Sequence, residues 1–289
     1  MTAQRTAHKV LEATLDVTRL APDAATRACP ALLDFATRYA PCGHLDLGNL
    51  CNLGCVYCGL ERDQSTHTPK RVALATLRAA RRAGLAKLAL VGGEPTIRRD
   101  LPDLVAATRA EGYTDVVLTT NGLLLADADH LDRLLAAGVT SVHLSLDDHD
   151  PARLAALCRH PDAGRLALIA LDLLLARPTV HLFLYAVLTR PTLPWLTDHV
   201  THLARWSALR GAPVPLILTA PKLTGRAREN AATLLAPLPD VAAAIAAAHA
   251  RATALGVPIF HRNVPDELLP GWSDRALEAA LVEGRMELR

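Results

Sequence analysis

Aromatic residues are scarce in this chain: three Phe, four Tyr and three Trp among 289 residues, 3% in all. The core must therefore be filled by Ala, Leu and Val, and apolar residues of all kinds make up 51% of the sequence. Such a composition favours many helices joined to short buried strands. Charge of one sign is lacking as well. Lys and Arg number 31 against 29 Asp and Glu, a net charge of +2, which argues against nucleic acid as the main partner. There is no uncharged run of membrane-spanning length. The opening MTAQRTAHKVLEATLDVTRL carries charges throughout and has no signal-peptide centre. These absences lead us to expect a cytoplasmic protein with no membrane association. Cysteine is sparse and unevenly placed. Of six, Cys51, Cys55 and Cys58 fall within eight residues, too close for an ordinary disulfide framework. In a reducing compartment such a cluster reads as metal binding.

What is present is a beat. From His44 onward a short apolar run, a loop and a longer amphipathic run recur. Strands are expected at 44–49, 87–91, 115–119, 141–145, 180–187 and 215–219. Helices are expected at 71–83, 101–111, 127–137, 164–176 and 194–210. Alternating strand and helix implies a parallel α/β sheet. Six units suggest a partial (β/α)6 TIM-like barrel, with a doubly wound open sheet as the alternative. In both, ligands gather at the C-terminal ends of the strands. Residues 1–43 read as a helical N-terminal lead-in, 44–220 as the barrel core and 221–289 as a C-terminal helical extension packed on it. That extension holds helical stretches near 230–255 and 273–288 and a short apolar run at 257–261.

The segment from His44 reads HLDLGNLCNLGCVYC. A strand-like run ends in a loop with cysteines at C-x3-C-x2-C spacing, so three thiolates can wrap one metal centre. Three is the informative number, because a cluster of four irons would keep one iron open to a ligand. A structural zinc site needs a fourth ligand, which Cys42 or His44 could supply.

This segment, with Tyr57 directly before the third cysteine, resembles the radical SAM superfamily. The resemblance implies one [4Fe–4S] cluster on Cys51, Cys55 and Cys58, with S-adenosylmethionine (SAM) chelating the open iron. Later strand ends agree with it. Gly92-Gly93-Glu94 follows the second strand and resembles the family's GGE motif, which contacts the methionyl amine of SAM. Read as residues alone, two glycines let backbone approach a ligand closely. Thr120 and Asn121, in TTNG after strand three, resemble the family's TNG segment and are expected at the mouth. Ser145 and Asp147 lie two apart and share a face in extended chain. They resemble the SLD segment and suit either a ribose contact or a cap on the next helix. Lys222 and Arg226, after strand six, could meet a carboxylate or phosphate, although solvated loop charges are the commoner case. His143 and His181 could face the barrel interior.

Only Cys158 follows Cys58, so the sequence holds no second cysteine set and one cluster is expected. Cys29, Cys42 and Cys158 read as small buried hydrophobes, and Cys42 or Cys158 could also serve as a hydrogen donor. The function implied is reductive cleavage of SAM to a 5′-deoxyadenosyl radical. That radical would abstract hydrogen from a small polar metabolite or an amino-acid or peptide side chain, with flavodoxin or ferredoxin as reductant. The competing readings are a glycyl-radical activating enzyme with a protein partner, and a non-catalytic zinc or iron–sulfur protein.

Overall fold

The computed structural model describes residues 42–60, 66–264 and 269. Most of the expected N-terminal lead-in and the expected helix at 273–288 lie outside the described residues. Among these residues seven strands form one sheet in the order β1 to β7: β1 Cys42–Asp46, β2 Lys87–Val91, β3 Asp115–Thr120, β4 Ser141–Ser145, β5 His181–Val187, β6 Leu216–Thr219 and β7 Ile259–Arg262. Every neighbouring pair is parallel. Among the described residues the sheet is not closed, as expected for a partial barrel. Its strand count is seven rather than six, because the apolar run near 257–261 pairs with β6 from Leu216↔Ile259 to Thr219↔Arg262. Four residues give no periodicity by which to distinguish a strand from a buried turn.

The helices are α1 Lys70–Arg82, α2 Leu101–Ala110, α3 Ala128–Ala137, α4 Pro151–Cys158, α5 Ala163–Leu175, α6 Leu196–Arg210, the short α7 Gly225–Glu229 and α8 Ala231–Leu234, and α9 Leu238–Leu255. Each long helix turns an apolar stripe inward. In α1 the buried residues are Ala73, Leu77 and Ala80, spaced four and three apart, while Arg71, Arg78 and Arg82 stay exposed. Local chemistry starts the helices. The Asp127 carboxylate accepts from the N–H groups of Asp129 and His130 before α3, and Asp150 does the same for Ala152 and Arg153 before α4, with Pro151 at the first helical position. Such caps are each worth roughly 1 kcal/mol.

Alternation along the strands separates two faces. Leu88, Leu90, Val116, Leu118, Val142, Leu144, Leu184, Leu216 and Leu218 point to the helices and join one leucine-rich core. On the other face Ala89, Val117 and Val91 form a small separate cluster. Leucine replaces the missing rings, each buried side chain contributing about 1.5–3 kcal/mol. Among the described residues no helix is long and apolar enough to cross a membrane.

Candidate active site

β1 ends at Asp46, three residues short of the expected Asn49. The chain must turn there: Gly48 has φ +102°, and a Cβ at that position would lie 2.1 Å from the Thr66 carbonyl. Asn49 N–H donates to Thr66 at 3.1 Å and Thr68 N–H to Leu47 at 3.0 Å, so the cysteine loop leaves the sheet between two backbone braces.

That loop borders a cavity of about 370 Å³ at the C-terminal ends of the strands. Cys51, Cys55, Tyr57 and Cys58 line one side. Gly92, Gly93, Glu94, Thr120, Asn121, Ser145 and Asp147 come to it from the ends of β2, β3 and β4, and Val187, Thr219 and Asn263 from the ends of β5, β6 and β7. The three cysteines, Tyr57 and the residues expected at the ends of strands two, three and four therefore border one space, whereas Arg226 is not among those lining it. His143 and His181 are not among the residues lining it. His143 is buried in β4 with its ring edge-on to Phe183 at 5.2 Å, and burial pushes its pKa down to about 3. His181 opens β5 at the far end of the strand and is exposed.

The two glycines serve the protein's own backbone. Gly93 N–H donates to Gly48 at 2.7 Å, and Glu94 N–H donates to Leu50 at 2.8 Å. A Cβ on Gly93 would lie 2.1 Å from the Leu50 carbonyl oxygen, and one on Gly92 would lie 2.4 Å from that of Gly48. The tight approach expected toward a ligand is thus made to the cysteine loop. We predict that Gly93→Ala pushes the loop off β2, at a cost of roughly 1–3 kcal/mol. Limited proteolysis in the loop reads this, and a cleavage rate equal to wild type would contradict it.

Glu94 is buried with four donors on its carboxylate. Oε1 accepts from Thr96 N–H at 3.0 Å, Thr96 Oγ1 at 2.6 Å and Thr120 Oγ1 at 2.7 Å, and Oε2 accepts from Asn121 N–H at 2.7 Å. Burial raises its pKa and these bonds partly offset the rise. Each carboxylate oxygen offers about two acceptor sites; three donors crowd Oε1, while Oε2, with one, keeps one free. The Asn121 side chain ties the third strand end to the cysteine loop by donating to Asn52 Oδ1 at 2.8 Å.

Asp147 does not cap a helix; Asp150 does. One Asp147 oxygen accepts from Val187 N–H at 2.7 Å and the other from the Tyr57 hydroxyl. Burial raises its pKa from 3.8 to about 6. The sign follows from proton counting: between those values the folded state holds a proton that the unfolded chain has lost, so stability falls as pH rises through the window. Asp147→Asn is expected to remove that slope, about 3 kcal/mol over the window. Urea midpoints at pH 4 and pH 7 test it, and parallel wild-type and variant curves would refute it.

The cysteines sit in unequal surroundings. Cys51 is exposed overall, yet the protein packed about its thiol, with Glu94 and the other cysteines adding, pushes its pKa up to about 11. The Cys55 pKa is lowered, chiefly by a hydrogen bond from Cys158, with the Arg226 cation helping. Two features escaped the sequence reading here. Cys158 is buried as expected, but it touches Cys55 and lines the cavity. Arg226, expected as a solvated charge, is buried. Lys222 is exposed at the cavity edge. The cysteine loop is held from behind by α4, Gly54 N–H donating to Cys158 at 3.0 Å and Val56 N–H to Leu157 at 2.9 Å.

Among the described residues no three His, Cys, Asp or Glu side chains meet closely enough to hold a single metal ion. The three thiols instead border a space wide enough for a larger sulfur-ligated group. A sulfur-only donor set facing such a space fits an iron–sulfur cluster.

Residues 45–181 match the model of the radical SAM superfamily. The GTP 3′,8-cyclase of Synechococcus elongatus is 44% identical over 121 residues, 39% of this chain and 36% of that protein. The probable GTP 3′,8-cyclase of Saccharolobus solfataricus is 38% identical over 104 residues, 35% of this chain and 33% of that protein. The chain thus matches these curated relatives over about a third of their length. Among solved structures, Streptococcus suis SuiB bound to precursor peptide SuiA superposes with a TM-score of 0.60 at 15% identity, over 81% of this chain and 53% of that one. The FeFe-hydrogenase maturase HydG of Carboxydothermus hydrogenoformans gives 0.55 at 15% identity, over 98% and 68%. At such identity these two show the fold alone.

Proposed function

We propose, from the premise that this chain belongs to the radical SAM superfamily, that it is an enzyme holding one [4Fe–4S] cluster on Cys51, Cys55 and Cys58 with SAM beside it. Its substrate would be a small polar metabolite or an amino-acid or peptide side chain. The observation that supports this best is the meeting of the cysteine loop and the buried Glu94 carboxylate at one cavity. The family's cluster supplies an electron that cleaves a carbon–sulfur bond of SAM, giving methionine and a 5′-deoxyadenosyl radical.

The chain's own residues would position and shield. The spare lone pair of Glu94 Oε2 would accept from the methionyl ammonium. Thr120 and Asn121 would hold that carboxylate in place from the end of β3. Ser145, at the end of β4, would offer its hydroxyl to the ribose, whereas Asp147 would act by fixing Tyr57 against β5. Leu53, Leu123, Leu154 and Ala167 would exclude water from the reacting carbon. Flavodoxin or ferredoxin would deliver the electron at the exposed Cys51 side. The relatives named GTP 3′,8-cyclase make GTP the first metabolite to screen.

The test is anaerobic. The protein is reconstituted with iron and sulfide and reduced, and its paramagnetic resonance is recorded with and without SAM. A [4Fe–4S] signal that shifts on adding SAM, with 5′-deoxyadenosine accumulating, supports the reading. A signal indifferent to SAM, or protein that retains zinc in place of iron, overturns it.

A further inference from the structure

Helix α7 is locked against the cysteine loop. Ala227 N–H donates to the Cys58 carbonyl at 3.1 Å and Thr224 Oγ1 to that of Gly59 at 2.7 Å. The Asn230 amide spans the Val56 carbonyl at 3.2 Å and the Arg226 carbonyl at 2.7 Å. A Cβ on Gly225 would lie 2.4 Å from the Leu60 carbonyl oxygen, so the helix is as close to the loop as backbone permits.

This packing carries Arg226 into the interior. The residue is 6% exposed, and its Nε and Nη1 are buried with no hydrogen-bond partner. A buried cation left without an anion is costly, and proteins keep one only where something compensates it. Neither buried carboxylate that lines the cavity accepts from Arg226: Glu94 holds Thr96, Thr120 and Asn121 and Asp147 holds Tyr57 and Val187. The bonds from Thr224 to Gly59 and from Ala227 to Cys58 flank Arg226 and hold it against the cysteine loop.

We infer that Arg226 is the counter-cation of the sulfur-bound cluster, a positioning residue that favours the cluster's reduced state from the helix pinned to the cysteine loop. The inference rests on the cluster reading given above. A cluster held by three thiolates gains one negative charge on reduction, and a nearby cation in a low-dielectric site lowers the free energy of that state. Without the cluster the same guanidinium is an unpaired buried charge. One substitution therefore has two opposite consequences: Arg226→Met, similar in length and neutral, stabilises the apoprotein and makes the reconstituted cluster harder to reduce.

The experiment pairs anaerobic thermal unfolding of the apoprotein with a redox titration of the reconstituted protein followed by paramagnetic resonance. Wild type, Arg226→Met, Arg226→Gln and Arg226→Lys are compared, the two neutral variants being carried together in case one fails to fold. The expected result is a raised apoprotein Tm in the neutral variants. With it goes a roughly tenfold fall in the ratio of reduced to oxidised cluster at fixed potential, about 59 mV for one electron. Arg226→Lys keeps most of the wild-type ratio. Neutral variants with an unchanged midpoint potential overturn the inference whatever the apoprotein does, and assign Arg226 to packing. A wild-type chain that takes up no cluster overturns the underlying site reading instead, and this inference with it.

Discussion

Replacing any one of Cys51, Cys55 or Cys58 with alanine is expected to abolish cluster assembly and SAM cleavage, while Cys158→Ala retains the cluster. The three loop cysteines border the same cavity, whereas Cys158 is fixed in the last turn of α4. Two remaining ligands leave a cluster with further irons open to water. Residues that act as one unit fail together, so the loss of activity is on the order of a thousandfold or more for each. Cys158 also borders that cavity, but from the end of α4, where it packs against Cys55. Its removal deletes one weak sulfur hydrogen bond and leaves the backbone bond from Gly54 to its carbonyl intact. Iron and sulfide per chain, together with 5′-deoxyadenosine formed, measure both arms. Normal SAM cleavage by Cys58→Ala would refute the central claim. Loss of the cluster in Cys158→Ala would make Cys158 a fourth ligand and close the site to SAM.

Glu94→Ala is expected to weaken SAM binding and to destabilise the fold. Truncation strands the N–H groups of Thr96 and Asn121 and the hydroxyls of Thr96 and Thr120, all now satisfied by the carboxylate. Leaving such donors unmet costs about 1–3 kcal/mol for each one that stays buried, and water entering the vacated space lowers the total. The lost contact to an ammonium adds about 2–3 kcal/mol to binding, or roughly 30- to 150-fold in Kd. Glu94→Gln separates the two effects. It keeps the volume and one accepting oxygen, so it recovers part of the stability but little of the affinity. Urea unfolding and a titration of the SAM-induced spectral shift read them independently. An alanine variant that unfolds early yet binds SAM as tightly as wild type would confine Glu94 to a bracing role.

Local spacing carried much of this protein's plan. The alternation of apolar runs set five of the seven strands within one or two residues, because burial on two faces and helical amphipathicity are both written over ten or so consecutive residues. The cysteine spacing, and the glycines and carboxylate one unit later, likewise named the cavity wall, since each lies at a strand end and a parallel sheet brings strand ends together. The sequence likewise shows no uncharged run of membrane-spanning length, and among the described residues no helix is long and apolar enough to cross a membrane.

Tertiary structure alone decided what each of those groups touches. The glycines after β2 meet the cysteine loop, about 40 residues earlier in the chain, rather than open space. Asp147 meets Tyr57, 90 positions away, and not the helix it precedes. β7 is a strand because β6 offers it an edge. Arg226 is buried because α7 is pinned to Cys58 and Gly59, although its neighbours in sequence look like any solvated loop. In every one of these cases the deciding partner is remote along the chain. The free energy of a polar group depends on who shares its desolvated space, and local sequence does not record that.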